Sequence, residues 1–437
     1  MTYACGSTSR RSCRQSLGSF WRRPAGRWPT RRTICWDQVR SEFPADLPWP
    51  GMRLLAGARN FEVTELPIYE PSGSGEHLYA WIEKEGVDSD RVVDALSRAT
   101  GRPARDIGYA GRKDRVAIAR QWFSIRLADE AALLRIEAPA GARISLLATS
   151  RDRSKLRLGQ LRGNRFRLGL GADGGAPDAG LAELRAALAR ATELGVANRF
   201  GAQRFGAGAA NVAIAIAWAR GDTARAVELC IDPTGGWKLG DPLPSGFRPG
   251  PSGRVLGALR RAPANAELAL REAGRRFAQL IASAAQSAVF NSVLEARRSA
   301  GLLHTLRAGD VARRREGGLF RCLPGDAAEI TARAAPGRLE ISATGPLPGF
   351  DAYAPSPAIA AEERAWSAST GVDWSSFERG RALSSPGDRR ALIVPFLEPP
   401  QLAVDADVVR LGFALPAGSY ATEVLTEIGV EVPERRP

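Results

Sequence analysis

A chain of 437 residues has room for two or three domains, and its 44% hydrophobic and 25% charged residues are ordinary for a globular protein. No stretch approaches the roughly 20 apolar residues of a membrane span. The formal charge of +14 favours a polyanionic partner, nucleic acid first, over a neutral small molecule.

Residues 1–35 carry eight arginines, several Ser and Thr, Trp21 and Trp28, and no acid. This reads as a basic, disordered tail. Its composition is that of an organellar transit peptide or, more plainly, of a start codon placed too far upstream. Removing residues 1–40 is expected to leave activity nearly intact; a large loss of turnover at low salt would place the tail in the substrate site.

Strand-like alternation runs from Phe61 to Glu65 and from His77 to Glu83, with Pro67, Pro71, Gly73 and Gly75 between, so a hairpin or two neighbouring strands are predicted. Val92, Val93 and Leu96 follow Ser89 and Asp90 at helical spacing, and Gly101 with Pro103 ends that helix. Further strands are predicted at 107–110, 121–127, 144–149 and 164–170. Ala/Leu/Arg-rich helices follow at 178–194, 209–220 and 222–230, with a long run over 264–299, and 233–253 is a Gly/Pro break. Another helix is expected at 358–370, strands at 391–396 and 408–415, and a last helix at 421–429. The fold class is α+β, a mixed sheet interrupted by a helix-rich insert.

Lysine occurs only at Lys84, Lys113, Lys155 and Lys238, so arginine supplies nearly all the positive charge. Arginine forks suit phosphates and base edges; a codon bias would produce the same count. The cysteines Cys5, Cys13, Cys35, Cys230 and Cys322 form no CxxC pair, which fits a reducing, cytoplasmic setting. The only histidines, His77 and His304, are far apart in sequence, which argues against a zinc site or a Ser-His-Asp triad. Chemistry then falls to carboxylate, Lys, Arg, Tyr or Ser.

Three segments could carry it. Gly111-Arg112-Lys113-Asp114-Arg115 sets one carboxylate among three cations, which favour its ionised form. The plain alternative is a solvated turn with local ion pairs. Arg151, Arg153, Lys155, Arg157, Arg162 and Arg165 alternate with Leu156, Leu158 and Leu161; in a strand this would turn the leucines inward and the cations outward as a basic stripe. Asn164 could read a base edge and Phe166 could stack on a base, or Phe166 could be core. Asn198 to Gly206 crowds two aromatics, two Arg, Asn and Gln between glycines and is expected to be a loop. Its continuation Gly206-Ala207-Gly208 is a poor dinucleotide fingerprint, without a preceding hydrophobic strand. Glu65, Glu76 and Lys84 read as surface charge.

Taken together, Phe61-Glu62-Val63-Thr64-Glu65 with Gly73 to His77, the GRKDR segment with Gln121, and Asn198 to Gly206 resemble the TruD family of tRNA pseudouridine synthases. Leu156 to Phe166, Ser287 to Asn291, Gly345 to Gly349 and Leu415 to Thr422 extend the resemblance over about residues 43–430. It implies a catalytic domain from 43–194 and 391–437 and an inserted domain at 195–390. It implies isomerisation of uridine 13 of tRNA to pseudouridine without metal or organic cofactor, with Asp114 as the catalytic aspartate. Phe61, Asn164, Phe166 and Tyr420, the last where relatives often have Phe, fall on substrate-contacting positions. Arg112, Lys113, Arg115, Arg151, Arg153, Lys155, Arg157 and Arg162 are the expected RNA contacts. The partner is tRNA, with no membrane and no protein partner, for a monomer. Departures are Ala58-Arg59-Asn60 in place of Pro-Glu-Asp, and Ala197 and Arg199 in place of Pro and Tyr. Two other readings stand beside this one: a non-catalytic RNA-binding or RNA-chaperone protein, and a methyltransferase using the Gly206 region.

Overall fold

The computed structural model describes residues 52–172, 180–246, 250–405 and 407–433; the predicted basic tail, with Trp21, Trp28 and three of the cysteines, lies outside them. The strands of the first half are β1 (Met52–Leu54), β2 (Phe61–Pro67), β3 (His77–Glu85), β4 (Ile107–Tyr109), β5 (Ile118–Arg126), β6 (Arg143–Asp152) and β7 (Leu161–Ala172), with helix α1 (Ser89–Thr100) after β3. By internal contacts the described residues divide at Leu161, those of 57–161 forming one compact unit and those of 52–56 and 162–433 the other.

In the first unit the strand order is β2-β5-β3-β6, with β4 on β5. The predicted hairpin is therefore corrected: β2 and β3 are not partners, because β5 lies between them, parallel to β2 and antiparallel to β3. The alternation of β3 decides the layers. Leu78, Ala80 and Ile82 face α1 and pack with Val92, Val93, Leu96, Phe123 and Ile125. Tyr79 and Trp81 face the other way with Trp122, Leu156 and Leu161, the two tryptophan rings 5.2 Å apart. Burial of each large apolar side chain contributes about 1.5–3 kcal/mol. Helix α1 begins where the Asp88 carboxylate accepts from the Arg91 N–H and ends at Gly101 in the left-handed region, as its sequence signals indicate.

The second unit adds α2 (Leu181–Leu194), β8 (Val196–Ala197), α3 (Ala210–Ala219), α4 (Thr223–Ile231), α5 (Pro251–Arg261), α6 (Ala266–Glu272) and α7 (Arg275–Ser299). Next come β9 (Val311–Arg314), β10 (Leu319–Arg321), α8 (Ala327–Ala334), β11 (Ile341–Leu347) and α9 (Pro357–Ser367). The chain finishes with β12 (Asp388–Ala391), β13 (Ile393–Val394), β14 (Glu398–Asp405), β15 (Val408–Pro416) and α10 (Ala421–Glu427). Strands β14, β15 and β7 are consecutive, with β1 on β7; β10-β9-β11-β12 form a second sheet, and β13 pairs with β8. Helix α7 is the shared wall of two cores. Phe277, Ile281 and Ala285 join α3 to α6, and Phe290 and Leu294 pack on β9, β11 and α8. By length and composition it is apolar enough to cross a membrane, which corrects the expectation that no stretch comes near a span, but 61% of that apolar window is buried inside the protein.

Three elements differ from the sequence reading. The run over 264–299 is two helices, broken where Gly274 takes φ 91°. Helix α5, not predicted, begins within the last residues of the predicted break, with Pro251 in its first turn, where a missing N–H is harmless. Strand β14 contains Pro399 and Pro400, which argue against a central strand; it is an edge strand, with a register shift between Glu398 and Gln401.

Candidate active site

The GRKDR segment follows β4 and is clamped from below. Gly108 enters it with its Cα so close to the next chain that a Cβ would lie 2.0 Å from the Leu156 carbonyl oxygen, so only glycine fits. The Gly159 N–H donates to the Ala110 carbonyl at 2.8 Å. Gln121 on β5 donates to the Gly111 carbonyl at 3.0 Å and accepts from Ser89 Oγ at 2.8 Å, while the Lys113 N–H donates to the same Ser89 hydroxyl at 3.0 Å. Both Ser89 and Gln121 are buried. The loop is thus fixed through buried polar bonds, each worth about 1 kcal/mol net and costly to leave half-made.

The three cations of the motif are turned to other partners. Arg112, exposed, pairs with Asp90 at 3.1 Å, and the Tyr109 hydroxyl donates to the same carboxylate at 2.6 Å. Arg115 donates to the Gly86 carbonyl. Lys113 is buried, with Nζ 3.0 Å from Glu65 Oε2 and side-chain exposures of 3% and 1%. Burial pushes the Glu65 carboxyl up against the opposing pull of Lys113 and the N–H of Trp122. Lys113 is therefore corrected as an RNA contact: its charge is spent inside the protein. Glu65 and Lys84 are corrected as surface charges, since both are buried, whereas Glu76 is half-exposed and pairs with Arg126. Asp114 itself is exposed, and Lys84 Nζ donates to its main-chain carbonyl. Phe61, at the start of β2, is buried.

The basic segment is not one strand. Strand β6 stops at Asp152 and β7 starts at Leu161, so residues 153–160 form a loop. Leu156 and Leu161 are buried, but Leu158 is 70% exposed, which corrects the predicted inward row of leucines. Arg153, Arg157 and Arg162 are exposed. Arg151 donates to the Ala128 carbonyl and Lys155 to the Arg105 carbonyl.

In the second unit, Asn164, Phe166, Leu168 and Leu170 share one face of β7. Phe166 is buried with its ring 5.5 Å from Phe413. Asn164 Oδ1 is buried and has no hydrogen-bond partner in the structure, an arrangement that leaves an acceptor for an incoming donor. Tyr420, half-buried at the start of α10, lies 6.1 Å from the Phe200 ring. Phe200 belongs to the Asn198–Gly206 loop, which is the clamp of this unit. Its N–H and C=O are both bonded by the Asn291 amide, and Arg390 stacks 4.2 Å above its ring. Arg390 also donates to the Asn198 and Gly418 carbonyls. Burial brings the Arg390 guanidinium down to about 10. No strand leads into Gly206 beyond the two-residue β8, so the nucleotide-loop reading of that segment fails.

A sequence profile of tRNA pseudouridine synthase D (TruD) matches residues 41–235 and 251–428. A tRNA pseudouridine synthase D of Geobacter metallireducens is 39% identical over 400 residues, covering 88% of this chain and 96% of that protein. One from Thermus thermophilus is 34% identical over 385 residues, covering 88% and 90%. A crystal structure from Methanosarcina mazei bearing the TruD name matches with a TM-score of 0.67 and 22% identity over 90% of this chain and 98% of that one, a likeness of fold.

Proposed function

The chain belongs to the TruD family of tRNA pseudouridine synthases, and from that premise we propose that it converts uridine 13 of tRNA to pseudouridine with Asp114 as the catalytic group. The family activity is that of an isomerase acting on tRNA. The observation that carries the residue assignment is the exposed position of Asp114 on a loop whose main chain is held by Ser89, Gln121 and Lys84: an acid at a fixed, accessible position is what a reaction at a ribose needs.

The isomerisation breaks the C1′–N1 bond, turns the uracil, joins C5 to C1′, and releases the C5 proton while N1 gains one. Asp114 serves as the nucleophile toward C1′ or as a base at the ribose. The nucleotide must first leave its stack, at a cost of a few kcal/mol. Phosphate contacts by Arg112, Arg115, Arg151, Arg153, Lys155, Arg157 and Arg162 would offset it; the surface pair of Arg112 with Asp90 is weak enough to be exchanged. Phe61, Asn164, Phe166 and Tyr420 are assigned to the substrate by motif position, and the open acceptor of Asn164 supports its role. Residues 43–194 with 391–437 form the catalytic domain in this reading, and 195–390 the insert. The setting is the cytoplasm, and the working form a monomer.

Transcripts of tRNA labelled with tritium at uridine C5 should release tritium to water with this protein, and transcripts with cytidine at position 13 should release none. Binding of tRNA without release would favour the non-catalytic reading. Equal release from the cytidine-13 transcript would overturn the assignment of position.

A further inference from the structure

Lys84 is wholly buried, at 0% exposure, on the face of β3 that otherwise carries Leu78, Ala80 and Ile82. A buried ammonium is retained only where it has partners. Across the sheet its neighbours are Ala119 on β5 and Ile144 on β6, which offer no charge. Arg120 of β5 is turned to Glu62 and Glu83, and Arg143 of β6 to Glu83 and Glu85. What Lys84 meets is the GRKDR loop and the start of α1. Its Nζ donates to the Asp114 main-chain carbonyl; the carboxylates of Asp114 and Asp88 favour its charged form, and Lys113 opposes it.

We propose that Lys84 is a positioning residue for the reaction, its buried ammonium gripping the Asp114 carbonyl so that the carboxylate is held in direction and balanced in charge. The inference rests on the assignment of Asp114 as the catalytic group. The Lys113 N–H on Ser89 Oγ fixes the chain one residue ahead of Asp114 and Lys84 fixes the peptide that follows Asp114, so the main chain that carries the carboxylate is anchored on both sides. Burial brings the Lys84 ammonium down to about 8, so the grip weakens in mildly alkaline solution.

Single-turnover tritium release measured from pH 7 to 9 tests this, with Lys84→Met, Lys84→Arg and Asp114→Asn prepared alongside the full chain. The wild-type rate should fall about tenfold between pH 7 and 9. Lys84→Arg, which stays charged, should show no such fall. Lys84→Met should lose about a hundredfold in rate with tRNA affinity within threefold, no alkaline limb, and a melting temperature at pH 7 equal to or above the wild type. Wild-type turnover in Lys84→Met, or loss through tRNA affinity alone, would overturn the proposal. If Lys84→Met does not fold, the wild-type and Lys84→Arg profiles decide: a flat wild-type profile, or the same limb in both, overturns it. An active Asp114→Asn would bring down the catalytic assignment itself, whereas an inactive Asp114→Asn beside a fully active Lys84→Met would bring down Lys84 alone.

Discussion

Asp114→Asn should abolish turnover, lowering the tritium-release rate by about a thousandfold or more, and leave tRNA affinity within a few-fold. The substitution keeps the size of the side chain and removes its charge, so it deletes a nucleophile or base without creating a cavity. The bonds that hold the loop run through the Gly111 carbonyl, the Lys113 N–H and ammonium, and the Asp114 main-chain carbonyl. All of these bonds remain available in the variant and hold the loop. The exposed arginines of the 153–162 segment are untouched, which is why binding should survive. Filter binding and release assays on the same preparation check the split between affinity and rate; unchanged turnover would remove Asp114 from the mechanism.

The positions of these bonds show how much of the site could be read in the sequence. Asp114 stood out because a lone acid among cations is conspicuous in a one-dimensional string. Its supports did not, because each comes from a distant element: Ser89 from the start of α1, Gln121 from β5, Glu65 from β2 and Lys84 from β3. Two of them did leave a local signal. Lys84 is in phase with Leu78, Ala80 and Ile82, and Glu65 with Phe61 and Val63, and a charged residue on the buried face of a strand is a residue with a partner. Most strands and helices followed their periodicity for the same reason, since one face of each is core. Pairing order did not, because β5 entering between β2 and β3 is a tertiary event to which the turn residues between them are indifferent. Strand β14 was hidden by Pro399 and Pro400, which only an edge position tolerates.

The buried Lys113–Glu65 pair gives the second large effect. Lys113→Met alone should destabilise the protein by about 3–5 kcal/mol near pH 8, because it strands a carboxylate that has 1% side-chain exposure. Glu65 has a folded-state pKa raised by burial, and losing Lys113 raises it further. The folded variant therefore holds a proton that the unfolded chain releases above its ordinary carboxylate pKa, and the deficit should shrink as pH falls toward 5. Glu65→Gln combined with Lys113→Met removes both charges and keeps an oxygen for the Trp122 N–H, which donates to Glu65 Oε1 at 3.3 Å. That double variant should recover most of the loss. Urea unfolding at pH 5 and pH 8 measures both. In the double variant the dependence of tRNA affinity on salt should match the wild type, because Lys113 neutralises a carboxylate and not a phosphate. A drop in slope of about 0.7–0.9 would return Lys113 to the RNA, and a single variant as stable as the double would mean that the pair is not what holds the loop.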